Sequence, residues 1–347
     1  MNKKINIFGF TKVQLEEICY TEQLTRYTAG QLIDWMYRKR ITDFNEMSNL
    51  SLKVRESLDL KYCVEPSLPK EFAISKDGTK KYLFPVSGGN FVEAVYIPDR
   101  NRSTVCISTQ FGCVLGCAFC QTGTMGRGIN LSAGEILSQV LFLPEYEQLT
   151  NVVIMGMGEP LMNWGNVKIF LELLSTEKYV GMSKRRITLS TVGIIPELKE
   201  FLQSFPCELA ISMHSPFPEE RSKLMPVQNK YPLIEVLYLI RPYTVGSSRT
   251  VSFEYIVLKD LNHSQKHADE IATILNGIPC KINLLNYHKT EGREFESPDR
   301  QQMEEFQDML KEKGFTVTIR KSRGQDIEAA CGMLSWKNQD KNESAVD

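Results

Sequence analysis

Residues 113–120 read Cys-Val-Leu-Gly-Cys-Ala-Phe-Cys, so Cys113, Cys117 and Cys120 form a C-x3-C-x2-C run. Three thiolates this close in sequence can wrap one face of a cubane. A 4Fe–4S cluster has four irons, each normally held by its own Cys. Three ligands leave one iron open to chelate a small molecule and pass it an electron. The competing use of such a run is a structural zinc knot. Zinc wants four ligands, usually as one C-x2-4-C pair answered by a second. No second C-x2-C pair exists, and His214, His263, His267 and His288 all lie far off in sequence.

The chain around this run has ordinary globular composition, with 347 residues, 42% hydrophobic and 24% charged. That length fits one large α/β domain plus a small accessory one. No apolar run approaches membrane-spanning length, and Met1–Asn6 lacks the apolar core of a signal peptide. A cytoplasmic location is expected, with no membrane partner. Nine cysteines in such a chain suggest metal and catalysis rather than a disulfide framework. The net charge of −1 argues against general attraction to polyanions. Local patches can still grip RNA phosphates, and Arg38–Arg40, Lys184–Arg186 and Arg320–Arg323 are the candidates. For Arg38–Arg40 the simpler use is interaction with a helix C-terminus.

Outward from the cysteines the periodicity changes three times. Residues 1–65 read as a small helical accessory domain, with apolar faces such as Leu32, Ile33, Met36 and Tyr37. Residues 66–98 switch to period two, with a hairpin turning at Asp77-Gly78 and a further strand from Phe91 to Ile97. Residues 99–335 alternate strands and helices in six units, which predicts an α/β fold with a parallel sheet. Six units fit an incomplete (β/α)6 barrel, whose chemistry sits at the C-terminal strand ends. Residues 336–347 read as a polar tail.

The strand ends carry the remaining candidates. Met155-Gly156-Met157-Gly158-Glu159-Pro160 follows the second strand of the alternating region. Its glycines let backbone approach a ligand closely, and Glu159 can accept hydrogen bonds from an ammonium or a ribose. The bland use is a tight turn with a solvated Glu. Ser190 ends the third strand, and Ser212-Met213-His214 ends the fourth. A strand-end Ser is more often a helix cap than a ligand. His288, after the sixth strand, is weak alone. Cys106 lies in the first of these strands and Cys331 near the far end; each has a buried, inert thiol as its bland reading.

Taken in order, F-V-E-A-V-Y-I-P (91–98), the 106–120 run, G-M-G-E-P-L-M-N (156–163), L-S-T-V-G-I-I-P (189–196), S-M-H-S-P (212–216) and R-G-Q-D-I-E-A-A-C-G (323–332) resemble the RlmN/Cfr family of radical S-adenosylmethionine (SAM) RNA methyltransferases, essentially end to end. Pro160 favours the RlmN side, since Cfr-type sequences tend to have Ala there. The resemblance implies a radical SAM barrel and two cofactors: a 4Fe–4S cluster on Cys113, Cys117 and Cys120, and two SAM per turnover, one as methyl donor and one as radical source. Gly158, Glu159, Ser190, Ser212, Met213, His214 and His288 would contact SAM. His288 stands where many relatives have Asn. Cys331 would carry the methyl, Glu93 would act as base, and Cys106 would resolve the adduct as a disulfide. The implied partners are 23S rRNA and tRNA, an electron donor such as flavodoxin or ferredoxin, and a disulfide reductant. The implied reaction is methylation of adenosine carbon 2. Two alternatives remain: Cfr-type methylation at carbon 8, and a non-enzymatic iron–sulfur or zinc RNA-binding protein.

Overall fold

The computed structural model describes residues 4–245, 249, 251–289, 292 and 294–334. The tail over 336–347 lies outside the described residues. The first helices are α1 (Lys12–Thr21), α2 (Arg26–Ile33) and α3 (Leu52–Lys61), and α2 runs on into a π-helical turn over Asp34–Arg38. Their apolar faces bury Leu15, Leu32, Met36, Tyr37 and Leu58. This unit presses on the barrel through two glycines. Gly9 has φ +97, and a Cβ there would lie 2.5 Å from the Gly134 nitrogen. A Cβ on Gly134 would lie 2.4 Å from the Phe8 carbonyl oxygen. Only bare backbone permits that approach. Tyr37 closes the contact, donating to the Phe10 carbonyl at 2.7 Å.

The basic run that ends the π-helical turn, Arg38–Arg40, binds the protein itself. Arg38 donates to the Glu177 carbonyl at 2.8 Å. Lys39 pairs with Asp34 at 3.1 Å, and Arg40 with Glu147 at 2.5 Å. Arg40 also lies over the Tyr146 ring at 4.3 Å. These bonds dock Arg38–Arg40 on the protein's own surface.

One ten-stranded sheet follows chain order. Its strands are β1 (Glu71–Ile74), β2 (Lys80–Val86), β3 (Asn90–Asp99), β4 (Arg102–Cys106), β5 (Asn151–Ile154), β6 (Ile187–Thr191), β7 (Glu208–Ser212), β8 (Val251–Val257), β9 (Cys280–Asn286) and β10 (Thr316–Ile319). From β1 to β4 the pairings are antiparallel. From β4 to β10 they are parallel. The crossovers are α4 (Ala133–Leu141), α5 (Trp164–Ser175), α6 (Ile195–Ser204), α7 (Pro218–Leu224) with α8 (Leu233–Thr244), α9 (Gln265–Ile274) and α10 (Arg300–Glu312). The six expected units are present and a seventh parallel strand, β10, follows them. Its Thr-Val-Thr-Ile is short and only half apolar, too weak a pattern to stand out after a helix. Ser132 caps α4 in a capping box, accepting from the Glu135 amide while Glu135 accepts from the Ser132 amide. Among the described residues, no helix is long and apolar enough to cross a membrane.

Register decides which residues face the interior. Lys81, Val95, Cys106 and Val153 stand in one row across β2 to β5. Thr188 continues that row, and Ser190 lies two residues on. Ser212, Glu254, Asn283 and Thr318 form a second row. Alternate strand residues share a face, so Lys81, Glu93, Cys106, Ser190, Ser212, Glu254 and Asn283 all lie on one side. The opposite face carries Val152, Ile154, Leu189, Ile211, Phe253 and Ile282, all fully or almost fully buried. The helices cover that apolar face and leave the polar one lining the cavity.

Residues after β10 strap the open barrel shut. The Gly324 amide donates to Asp77 at 3.1 Å, and Lys76 donates its amide to Asp326 at 3.1 Å. Farther on, Gln121 donates its amide to the Gly332 carbonyl at 2.8 Å, and Thr122 its hydroxyl to the Leu334 carbonyl at 2.7 Å. Cys331 is thereby suspended between the β1–β2 turn and the cysteine loop.

Candidate active site

The loop with Cys113, Cys117 and Cys120 leaves the C-terminal end of β4, where barrels place their chemistry. A short antiparallel pairing of Gln110–Phe111 with Ile129–Asn130 pinches its base. Inside it, Cys120 donates its amide to the Cys117 carbonyl at 3.1 Å, and Ala118 donates to the Leu224 carbonyl at 2.8 Å. The three cysteines are half-buried. Burial pushes Cys113 up to about 11, with Glu159 and Cys120 adding to it. Burial pushes Cys117 higher still, and the charges of Cys120 and Cys113 add to it. These thiols need a positive centre before they become thiolates, which a metal core provides. Among the described residues no group of three or more His, Cys, Asp or Glu is arranged around a single ion. A cubane does not ask for that, because each Cys holds a different iron.

Glu159 follows β5 and is buried. Its carboxylate accepts from the Thr191 hydroxyl at 2.6 Å, the Val192 amide at 3.0 Å and the Leu161 amide at 3.0 Å. Burial outweighs these bonds and pushes the carboxyl up to about 7. Gly158 has φ +95, and a Cβ there would lie 2.5 Å from the Gln110 side chain. The glycine is thus required by packing against the root of the cysteine loop.

The strand-end candidates separate into two groups. Ser190 and Ser212 face the cavity on the polar side of the sheet, beside Glu159. Met213 is fully buried and donates its amide to the Glu254 carbonyl at 3.0 Å. His214 is buried with φ +58. Its Nδ1 accepts from the Ile256 amide at 3.0 Å, and its ring sits edge-on to Phe119 at 4.6 Å. Burial, then the Arg221 charge, push its pKa down to about 3, so it is neutral. Met213 is thus pinned to β8 through its backbone, and the His214 ring braces the cysteine loop at Phe119. His288 is buried beyond β9, and burial lowers its pKa.

Cys106 and Cys331, remote in sequence, come near enough for the Cys331 charge to bear on Cys106. Burial pushes the Cys106 thiol up to about 12, with the Cys331 charge adding to it. Cys331 opens to the cavity yet is ringed by protein, which raises its pKa. Glu254 adds to that rise and Arg320 opposes it. Glu93, 3% exposed, pairs with Lys81 at 3.0 Å on the same sheet face as Cys106. Three members of the site escape sequence reading. Lys81 looks like a surface lysine. Arg221 looks like the polar side of a short helix. Glu254 alone leaves a signal, a charge inside the apolar strand Val-Ser-Phe-Glu-Tyr-Ile-Val.

The sequence profile of the Radical SAM superfamily matches residues 107–271, and that of the ribosomal RNA large subunit methyltransferase N-terminal domain matches residues 5–64. A probable dual-specificity RNA methyltransferase RlmN from Parabacteroides distasonis is 46% identical over 335 residues, 96% of this chain and 98% of that one. The dual-specificity RNA methyltransferase RlmN of Marinobacter nauticus is 40% identical over 351 residues, covering 98% of this chain and 95% of that one. This chain belongs to the RlmN family of radical SAM RNA methyltransferases. The crystal structure of a radical SAM methyltransferase from Sphaerobacter thermophilus superposes with a TM-score of 0.89 at 35% identity, over 95% of this chain and 99% of that one. The RlmN family implies a 4Fe–4S cluster and SAM. The donor set fits the cluster: three half-buried cysteines on one loop whose charges bear on one another.

Proposed function

We propose that this enzyme methylates carbon 2 of adenosine in 23S rRNA at the peptidyl transferase centre and in tRNA next to the anticodon. The observation that carries the reading is the strap that suspends Cys331 between the β1–β2 turn and the cysteine loop, with its charge felt at Cys106. A methyltransferase that only passed a methyl from SAM to a nucleophile would need neither thiol. Carbon 2 of adenine is electron-poor and does not attack an electrophilic methyl, so the carbon must be delivered in activated form from the protein.

Cys113, Cys117 and Cys120 would hold the cluster, and Glu159, Ser190 and Ser212 would seat SAM. Bound there, cluster and SAM together supply a methyl cation equivalent and, from a second SAM, a 5′-deoxyadenosyl radical. Every other step belongs to side chains of this chain. The Cys331 thiolate takes the methyl. After giving one hydrogen atom to that radical, its sulfur-bound carbon adds to the base and joins protein to RNA, and the adduct must release one electron. Glu93 removes the proton from the substituted carbon. The Cys106 thiolate then attacks the Cys331 sulfur, and the sulfur–carbon bond breaks with its electron pair going to the carbon. That carbon takes up a proton to become the methyl group, and a Cys106–Cys331 disulfide forms as methylated RNA leaves. A disulfide reductant must restore both thiols each turnover, and flavodoxin or ferredoxin supplies electrons, as expected of a cytoplasmic enzyme.

For RNA contact the candidates narrow to Arg320–Arg323, which follow the C-terminal end of β10 beside Cys331. Lys184–Arg186 precede β6 and sit at the opposite end of the strands. Mass spectrometry of adenosines in RNA from cells with and without the protein tests the reading. Loss of 2-methyladenosine in its absence is expected, and loss of 8-methyladenosine instead would point to the Cfr-type reaction.

A further inference from the structure

Among the described residues Arg221 is the largest fully buried side chain, 1% exposed. Its Nε donates to the Met213 carbonyl at 3.2 Å, and one terminal nitrogen donates to Gln228 Oε1 at 2.6 Å. The other donates to the Val192 carbonyl at 3.1 Å and the Ser212 carbonyl at 3.0 Å. All four acceptors are neutral. Among the described residues, no carboxylate lies within ion-pair distance of it. Burial lowers its pKa only to about 10, so it stays charged at neutral pH. A fully buried cation paired only with dipoles is costly, and proteins ordinarily neutralise one.

The missing negative charge has an obvious place. Arg221 lies one turn before Leu224 on α7, and the Leu224 carbonyl holds the Ala118 amide at 2.8 Å. Ala118 follows Cys117. The helix that buries Arg221 is thus bonded to the centre of the cysteine loop, and the ring of His214, next to the Met213 carbonyl that holds the guanidinium, packs on Phe119 of that loop at 4.6 Å. A cubane core held by three thiolates is net negative, and reduction adds one more negative charge.

We propose that Arg221 is the built-in counter-cation of the iron–sulfur cluster, stabilising its reduced state more than its oxidised state and so easing delivery of the electron. The proposal rests on the cluster assignment to Cys113, Cys117 and Cys120. Arg221 is a positioning residue, since it acts through Cys117 and the strand-end carbonyls.

The test is a redox titration of the full-length, anaerobically reconstituted protein without SAM, followed by electron paramagnetic resonance of the reduced cluster. Gln228→Glu places a carboxylate on the guanidinium at nearly unchanged shape, and it keeps an acceptor for the Leu233 amide, 3.1 Å away. It should shift the reduced-to-oxidised ratio at least about tenfold toward oxidised, a potential ~59 mV lower for one electron. Arg221→Lys keeps the charge and should stay within about threefold of the parent. Gln228→Glu failing to take up iron while melting like the parent would also support the proposal, because only the charge has changed. A Gln228→Glu protein with a full cluster and an unshifted potential would overturn it. Failure of the parent chain to take up about four irons would instead sink the cluster assignment itself.

Discussion

Asp326 accepts a hydrogen bond from the Ser75 hydroxyl at 2.5 Å, across 251 residues of chain. With the Lys76 amide on its other oxygen, it ties the segment carrying Cys331 to the β1–β2 turn. Because the anchor lies five residues from the Cys331 sulfur, its loss should be felt in positioning rather than in folding. Asp326→Ala should slow methyl loading of Cys331 roughly tenfold or more, with a melting temperature within a few degrees of the parent. Intact-mass measurement of methylated protein over time reads the first, calorimetry the second. An unchanged loading rate would show that the strap does not position the thiol.

The strap also carries a pH dependence. Burial raises the Asp77 carboxyl, but hydrogen bonds from Thr79, the Gly324 amide and Ser75 outweigh it and hold it at about 2. A carboxyl depressed in the folded state stabilises above its unfolded value of ~4 and loses that contribution as pH falls toward its folded one. Hydrogen exchange at Gly324, corrected for intrinsic rates, should stay protected from roughly pH 8 to pH 5 and lose protection between about pH 4 and pH 2. Protection lost already near neutrality would contradict the role of Asp77.

Arg320 is the cation that opposes burial and Glu254 at the Cys331 thiol. Arg320→Met should raise the thiol pKa and move the pH profile of methyl loading to higher pH, slowing loading severalfold at neutral pH. SAM affinity should not change. A profile that stays in place would mean that SAM, not Arg320, activates the sulfur.

Glu159→Gln keeps the shape of the loop and its acceptor for Thr191 while removing the negative charge. SAM binding should weaken about 10- to 100-fold, a cost of ~1.4–2.8 kcal/mol. Iron content and cluster absorption should stay at parental values. Equal affinity in a calorimetric titration would reduce the loop to a packed turn.

Much of this site could be read before folding. The cysteine run, the Gly158-Glu159 loop and six strand–helix units each leave a local pattern in sequence. Glu254 apart, what escaped has no local pattern. Lys81 finds Glu93 only through the antiparallel register of β2 on β3. Arg221 is buried because α7 docks on the cysteine loop. Lys184–Arg186 look as suitable for RNA as Arg320–Arg323 until strand direction puts them at the wrong end of the barrel. Cys331 reaches the cavity through backbone and carboxylate bonds to Ser75, Lys76 and Gln121, which have no periodicity.

The account stands most directly on the order in which the two thiols act, and Cys106→Ala isolates it. The variant should load the methyl on Cys331, attack the base and then stall, because no second thiol remains to break the sulfur–carbon bond. Purified from cells and digested with nuclease, it should carry an adenosine nucleotide covalently bound through one carbon to the peptide containing Cys331, as read by peptide mass spectrometry. Cys331→Ala should never carry one. A Cys106→Ala protein free of nucleotide that still turns over at the parental rate would contradict the account.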